Sequence, residues 1–317
     1  MSTGWRRLGR PLLLLSLGAV IALIVVTITR MGSASENAGP SGKDFVDIAA
    51  VPVAPPPPAL GPDASTGTVT VACGRDEEGH HNGDNVVTMP GERGGAHHSH
   101  DYVGNLSTNA MSTNATLAAA ATTCTDGDRS TYYWPVLRLA GGDPAGHGPA
   151  VPPADVLVQY RGSPASNVVP MPRFLRMMTG DAMAHTANPP HVTRVTWTCT
   201  GFTDRRTDHY PRCPAGHRLM RVFDFPSCWD GRHLDSPTHR THVVFPAANG
   251  PCPEGTFPIP QLHIEVSYEL PPGATFAVDG FPEQLHDPRT DHAGYINVMT
   301  DRQMGAVVSC LNAGRRC

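Results

Sequence analysis

The sequence predicts a mainly β domain, an antiparallel sandwich or barrel-like fold with a few short helices, stapled by disulfides behind an N-terminal transmembrane or signal helix. Three observations predict it: four segments alternate apolar and polar residues with period two, turns rich in proline and glycine separate them, and eight cysteines follow the leader.

The cleanest strand is "QLHIEVSYEL", with Leu262, Ile264, Val266 and Tyr268 inward and His263, Glu265 and Ser267 outward. "ADVLVQYRG" sets Val156, Val158 and Tyr160 against Leu157, Gln159 and Arg161. "RVTWTC" gathers Val195, Trp197 and Cys199 on one face, and "RLMRVFDFP" sets Leu219, Arg221, Phe223 and Phe225 against Met220, Val222 and Asp224. Two helices are predicted. "STNATLAAAATT" has Ser112 or Thr113 as its N-cap; "TDRQMGAVVSCLN" has Thr300 as its cap and a stripe through Met304, Val307, Val308 and Leu311.

At the N-terminus, Arg6, Arg7 and Arg10 precede the apolar run Leu12–Ile28. That run is long for a cleaved signal and suffices to span a bilayer, with the body of the chain outside. Cleavage near "GSASENA" is the alternative and would make the protein secreted. The domain boundaries expected are 1–30 for the leader, 31–67 for a proline-, alanine- and glycine-rich disordered tether, and 68–317 for a single extracytoplasmic domain. The expected location is therefore the cell membrane, through residues 12–28, or the medium.

Eight cysteines allow 105 connectivities. Sequence order suggests Cys73–Cys124, Cys199–Cys213, Cys228–Cys252 and Cys310–Cys317, and the absence of any C-x-x-C pair argues against structural zinc. Charge excludes one class of partner. The chain has 24 basic and 28 acidic residues; four of the arginines flank the leader, so the remainder carries 20 against 28. That balance argues against nucleic acid.

Histidine is abundant, at 16 residues, and three segments combine it with aspartate. "GGAHHSHDYVGN" holds His98, His100 and Asp101; on extended backbone His98 and His100 point to the same side, about 7 Å apart. "FPSCWDGRHLDSPTHRTHVVFP" holds Asp230, Asp235, His239 and His242, and "DPRTDHAGYINV" holds Asp291, His292 and Asn297. His98, His100, His242 and His292 are candidate ligands of a divalent metal, and Asp101, Asp230, Asp235 and His239 candidate acid–base residues. All are expected to approach one another. For the aspartates, turn chemistry competes with a catalytic role. No zinc-peptidase, nucleophile-elbow, Walker or dinucleotide motif is present.

"HSHDYVGN", "FPSCWDGRHLDSPTHRTH", "CPEGTFPIPQL" and "CLNAGRRC" together resemble the exported actinobacterial and fungal family filed as domain of unknown function nineteen-ninety-six, over roughly residues 86–317. The resemblance implies that His98, His100, Asp101, Cys228, Trp229, Asp230, Asp235, Ser236, Pro237, His239, His242 and His292 are signature positions. Thr238 and Gly294 stand where the family usually has aspartate, and Met299 where it usually has tryptophan, which suggests a looser site with reduced or lost activity. The function expected is action on cell-wall or extracellular polysaccharide through a His/Asp loop cluster; the alternative is a non-catalytic module that binds glycan or metal.

Overall fold

A computed structural model describes residues 40–141, 147–188 and 191–317 together with Met1. The leader run 12–28 and the start of the tether lie outside the described residues. Among the described residues no helix is long and apolar enough to cross a membrane.

Two five-stranded antiparallel sheets organise the chain. Their strands, numbered together in chain order, are β1 (Thr68–Val71), β2 (His81–Asn82), β3 (His100–Gly104), β4 (Thr131–Pro135), β5 (Asp155–Arg161), β6 (Arg176–Gly180), β7 (Val195–Cys199), β8 (Leu219–Asp224), β9 (Gln261–Tyr268) and β10 (His292–Ile296). The first sheet runs β7-β8-β9-β5-β1 and holds all four strands legible from alternation. Leu262, Ile264, Val266 and Tyr268 are fully buried as expected. His263, expected on an outer face, is also buried, because Asp224 and Glu265 grip its ring at 2.6 and 3.0 Å.

The second sheet runs β2-β3-β4-β10-β6, antiparallel throughout. It is buried on both faces. One face, with Val103, Tyr132, Trp134, Met177 and Tyr295, shares a core with Val158, Tyr160, Phe223 and Ile264 of the first sheet. The other face packs Tyr102, Tyr133, Met178 and Ile296 beneath Val86, Val87 and Leu117. Two covered faces leave no polar side to alternate with, which is why these strands do not stand out in the sequence. A buried clamp joins the sheets. Arg221 of β8 donates to both Asp291 oxygens, to the Pro135 carbonyl at 2.7 Å and to the Tyr268 hydroxyl at 2.9 Å. Every bond is charge-assisted, and the pair is desolvated and satisfied.

Both helices form. α1 (Asn114–Ala119) is capped by Thr113 and α2 (Asp301–Asn312) by Thr300, each in a capping box. α2 buries Met304, Val307, Cys310 and Leu311. The four disulfides are those suggested by sequence order, and no cysteine is free. Part of the segment expected as a disordered tether is ordered. Phe45–Asp47 pairs in parallel with Tyr210–Arg212, and Ile48 and Val51 are buried beside Cys199. Burial of these few apolar side chains outweighs the local proline content.

Candidate functional site

The strand β3 begins at His100 and β10 at His292, so both rings leave the outer face of the second sheet at the same end. Two details of β10 fix this. Gly180, at φ 81°, pairs with His292, and any Cβ there would strike the Asp291 carbonyl and His292 itself. Gly294 lies under the Tyr133 ring, where a Cβ would overlap it. His98 reaches the same point from the segment before β3, which turns through Gly94 and His97 at φ 67° and 55°. Asp84 holds that segment: its carboxylate accepts from the Gly94 and Ala110 amides at 2.6 and 2.8 Å.

Three imidazoles converge. His292 Nε2 lies 3.3 Å from His98 Nε2 and 3.3 Å from His100 Nε2. His100 Nδ1 donates to the Asp84 carbonyl at 3.0 Å, and His292 Nδ1 to the Thr290 carbonyl at 2.9 Å. A carbonyl only accepts, so both Nδ1 atoms carry the proton and both Nε2 atoms present bare lone pairs to each other. His98 Nδ1 makes no well-formed hydrogen bond. Burial depresses all three basicities. His98 falls to about 4, and His100 and His292 lie well below the usual histidine value, helped by repulsion from their neighbours in the cluster.

Lone pairs of neutral rings at this spacing repel unless a cation joins them. Four ligands at 2.0–2.1 Å around a tetrahedral zinc are separated by about 3.3 Å. The His98–His292 and His100–His292 edges of the cluster match that spacing. The Nδ1-to-carbonyl bonds supply the outer support that orients metal-binding imidazoles. The residues present therefore fit a divalent ion with a fourth position open.

A cavity of about 310 Å³ opens over His98 and His292, walled by Met89, Met178, Met183 and Phe281. Arg240 and Asp181 also line it. Asp181 is buried, and its oxygens accept from the Met183 and His191 amides at 3.0 and 3.3 Å. Arg240 is half-buried and feels Asp181 electrostatically, with burial lowering its basicity. A second cavity of about 310 Å³ shares Met178, His191 and Arg240 and continues along Val192, Pro226 and Phe245.

The other candidates lie apart from this cluster. His242 is buried, but both ring nitrogens are taken, Nδ1 by the Ser236 hydroxyl at 3.0 Å and Nε2 by the Arg176 carbonyl at 2.7 Å. It fastens the signature loop to β6. Asp235 pairs with His239 at 2.8 Å and caps the Ser236 amide, so both hold the same loop. Asp230 accepts from the Arg232 and His233 amides, each at 2.9 Å, and pairs with the His233 ring at 2.6 Å. A small burial cost is outweighed by those bonds, which bring its carboxyl down to about 2. This is turn chemistry. Asp101 follows His100 on β3 and so points to the opposite face, toward His81 and Asp76.

Of the family departures, Met299 is buried in the shared core, away from the histidines, and Gly294 is required by Tyr133. Sequence reasoning missed Arg240, Asp181 and Phe281. Arg240 sits inside the "THRTH" run, and its signal was a lone cation among histidines. Nothing marked the other two.

Fold and site define a disulfide-stapled antiparallel β protein with a three-histidine pocket on one sheet face. The chain belongs to the family described as Domain of unknown function (DUF1996), whose model matches residues 84–295. No curated protein and no solved structure matches it.

Proposed function

We propose that the protein binds one zinc-like divalent ion through His98, His100 and His292, and uses it outside the cell to hydrolyse a cell-wall or extracellular polysaccharide. The carrying observation is the convergence of three Nε2 atoms, with His292 at 3.3 Å from both His98 and His100, beside an open cavity. An ion bound there would supply Lewis acidity and activate water at neutral pH. The chain's own residues do the rest. Met178, Met183 and Phe281 exclude bulk water, and Arg240 gives an anionic sugar substituent a place beside the reacting bond. Asp181 is the carboxylate on the cavity wall.

Four disulfides support an oxidising compartment. Anchoring through residues 12–28 rests on the sequence alone, and carbonate-resistant membrane partitioning of the full-length chain is its test. A second reading, a metal- or glycan-binding module without turnover, is favoured by one observation. Asp101, Asp230 and Asp235 all engage partners outside the cavity.

The two readings separate in one experiment. The zinc-loaded protein is screened against uronic-acid-containing and neutral polysaccharides beside His100→Ala. Release of reducing ends by wild type and its loss in the variant support hydrolysis. Metal uptake and glycan retention without release support the binding module. No metal uptake by wild type overturns both metal readings.

A further inference from the structure

Side chains alternate along β3, so the residue after His100 leaves the other face of the sheet. There Asp101 stands opposite His81 in the register of β2 and β3. Asp76 joins them from the preceding turn, its Oδ1 occupied by the His80 amide at 2.7 Å and its Oδ2 turned to His81. His81 Nδ1 lies 3.1 Å from Asp76 Oδ2 and 3.6 Å from Asp101 Oδ1. One ligand atom from each residue falls within 4.8 Å of the others.

Asp101 is the independent observation. It is 4% exposed, and its Oδ2 is buried with no hydrogen-bond partner. A carboxylate so placed is strongly disfavoured unless a cation reaches it. His81 cannot serve both acids well, since the proton on Nδ1 is shared with Asp76 at the shorter distance.

We propose that Asp76, His81 and Asp101 form a second divalent-cation site, on the opposite face of β3 from the three histidines. Donor atoms around a tetrahedral ion with ligand bonds of 2.0–2.2 Å sit about 3.3–3.6 Å apart, and the two His81-to-carboxylate separations, 3.1 and 3.6 Å, lie close to that span. One imidazole with two carboxylates suits zinc or manganese and is too small an oxygen set for calcium. His81 is half-exposed, which leaves the ion open to solvent on one side. The site ties the turn at Asp76 to the strand that carries His100, and so supports the register of the pocket. It uses none of the pocket's ligands and stands or falls separately from the proposed function.

The test is zinc stoichiometry on the full purified chain, by equilibrium dialysis and plasma mass spectrometry. Wild type is expected to hold two zinc ions, His81→Ala one, and His98→Ala/His292→Ala one. His81 is exposed enough that its removal leaves the core intact, and far-ultraviolet circular dichroism checks this. Asp101→Asn is expected to match His81→Ala. A single zinc that His81→Ala leaves in place overturns the proposal, as do two zinc ions that His81→Ala does not reduce. Retention of two ions by the His98/His292 variant would instead overturn the three-histidine centre alone.

Discussion

Acidifying the metal-free protein should strip stability through His98. Its folded pKa is depressed from 6.5 to about 4 by burial. Between those values the folded ring is neutral and the unfolded ring protonated, so the unfolded state binds more protons. Stability from this group is full above pH 6.5 and is lost as pH falls toward 4. The shift of about 2.5 units corresponds to about 3 kcal/mol at 1.36 kcal/mol per unit. Asp101 works the other way. Its raised carboxyl takes up a proton in the folded state below about pH 7 and in the unfolded state only near 3.8, so folding gains as pH falls. The raw profile of wild type thus mixes opposed slopes, and the comparison needs His98→Gln. Urea denaturation of both chelator-treated proteins from pH 7 to pH 4 gives the difference directly. That difference should shrink by about 3 kcal/mol across the window. A difference constant to within about 0.5 kcal/mol, the usual additivity error, would refute the neutral, desolvated state assigned to His98.

Three further outcomes follow from the packing. Arg221→Met leaves Asp291 buried without its partner and should cost about 3–5 kcal/mol, read by thermal denaturation; a shift below about 1 kcal/mol would mean that Asp291 finds another donor. Gly294→Asp, the residue usual in the family, should destabilise by about 3 kcal/mol because its Cβ meets Tyr133, and pairing it with Tyr133→Ala should recover part of the loss. Opening the Cys228–Cys252 bridge by double serine substitution should cost about 3 kcal/mol for a loop of 24 residues, and should loosen the segment bearing Arg240; unchanged proteolysis at 230–245 would contradict that coupling.

The sheet with one polar-edged face was legible because alternation needs two unlike faces. β5, β7, β8 and β9 showed it; "STYYWPV" and "HAGYINV" did not, since core covers them on both sides. His98 and His100 do meet, but His98 arrives from the bend ahead of β3 and not through strand alternation, while the period-two alternation of β3 sets Asp101 on the far side, though the sequence reading kept it with them. His292 could join only through long-range pairing of β10 with β4 and β6, which local pattern does not encode. The histidines and aspartates of the 228–246 loop looked equally suited to chemistry. What separates them is hydrogen-bond saturation: His242 and Asp230 spend their atoms on backbone groups. Three of the four disulfides join cysteines 24 or fewer residues apart, which favours pairing in sequence order, while Cys73–Cys124 spans 51; Ile48 and Val51 were hidden by the prolines around them.

The central claim is a single ion shared by His98, His100 and His292. Anomalous diffraction at the zinc edge, from crystals grown with more than two equivalents of zinc, tests it. A peak is expected about 2.0–2.1 Å from all three Nε2 atoms, with its fourth direction facing the Arg240 cavity. Full-occupancy zinc elsewhere, with the three rings unmetallated and His292 Nε2 still 3.3 Å from those of His98 and His100, would contradict it.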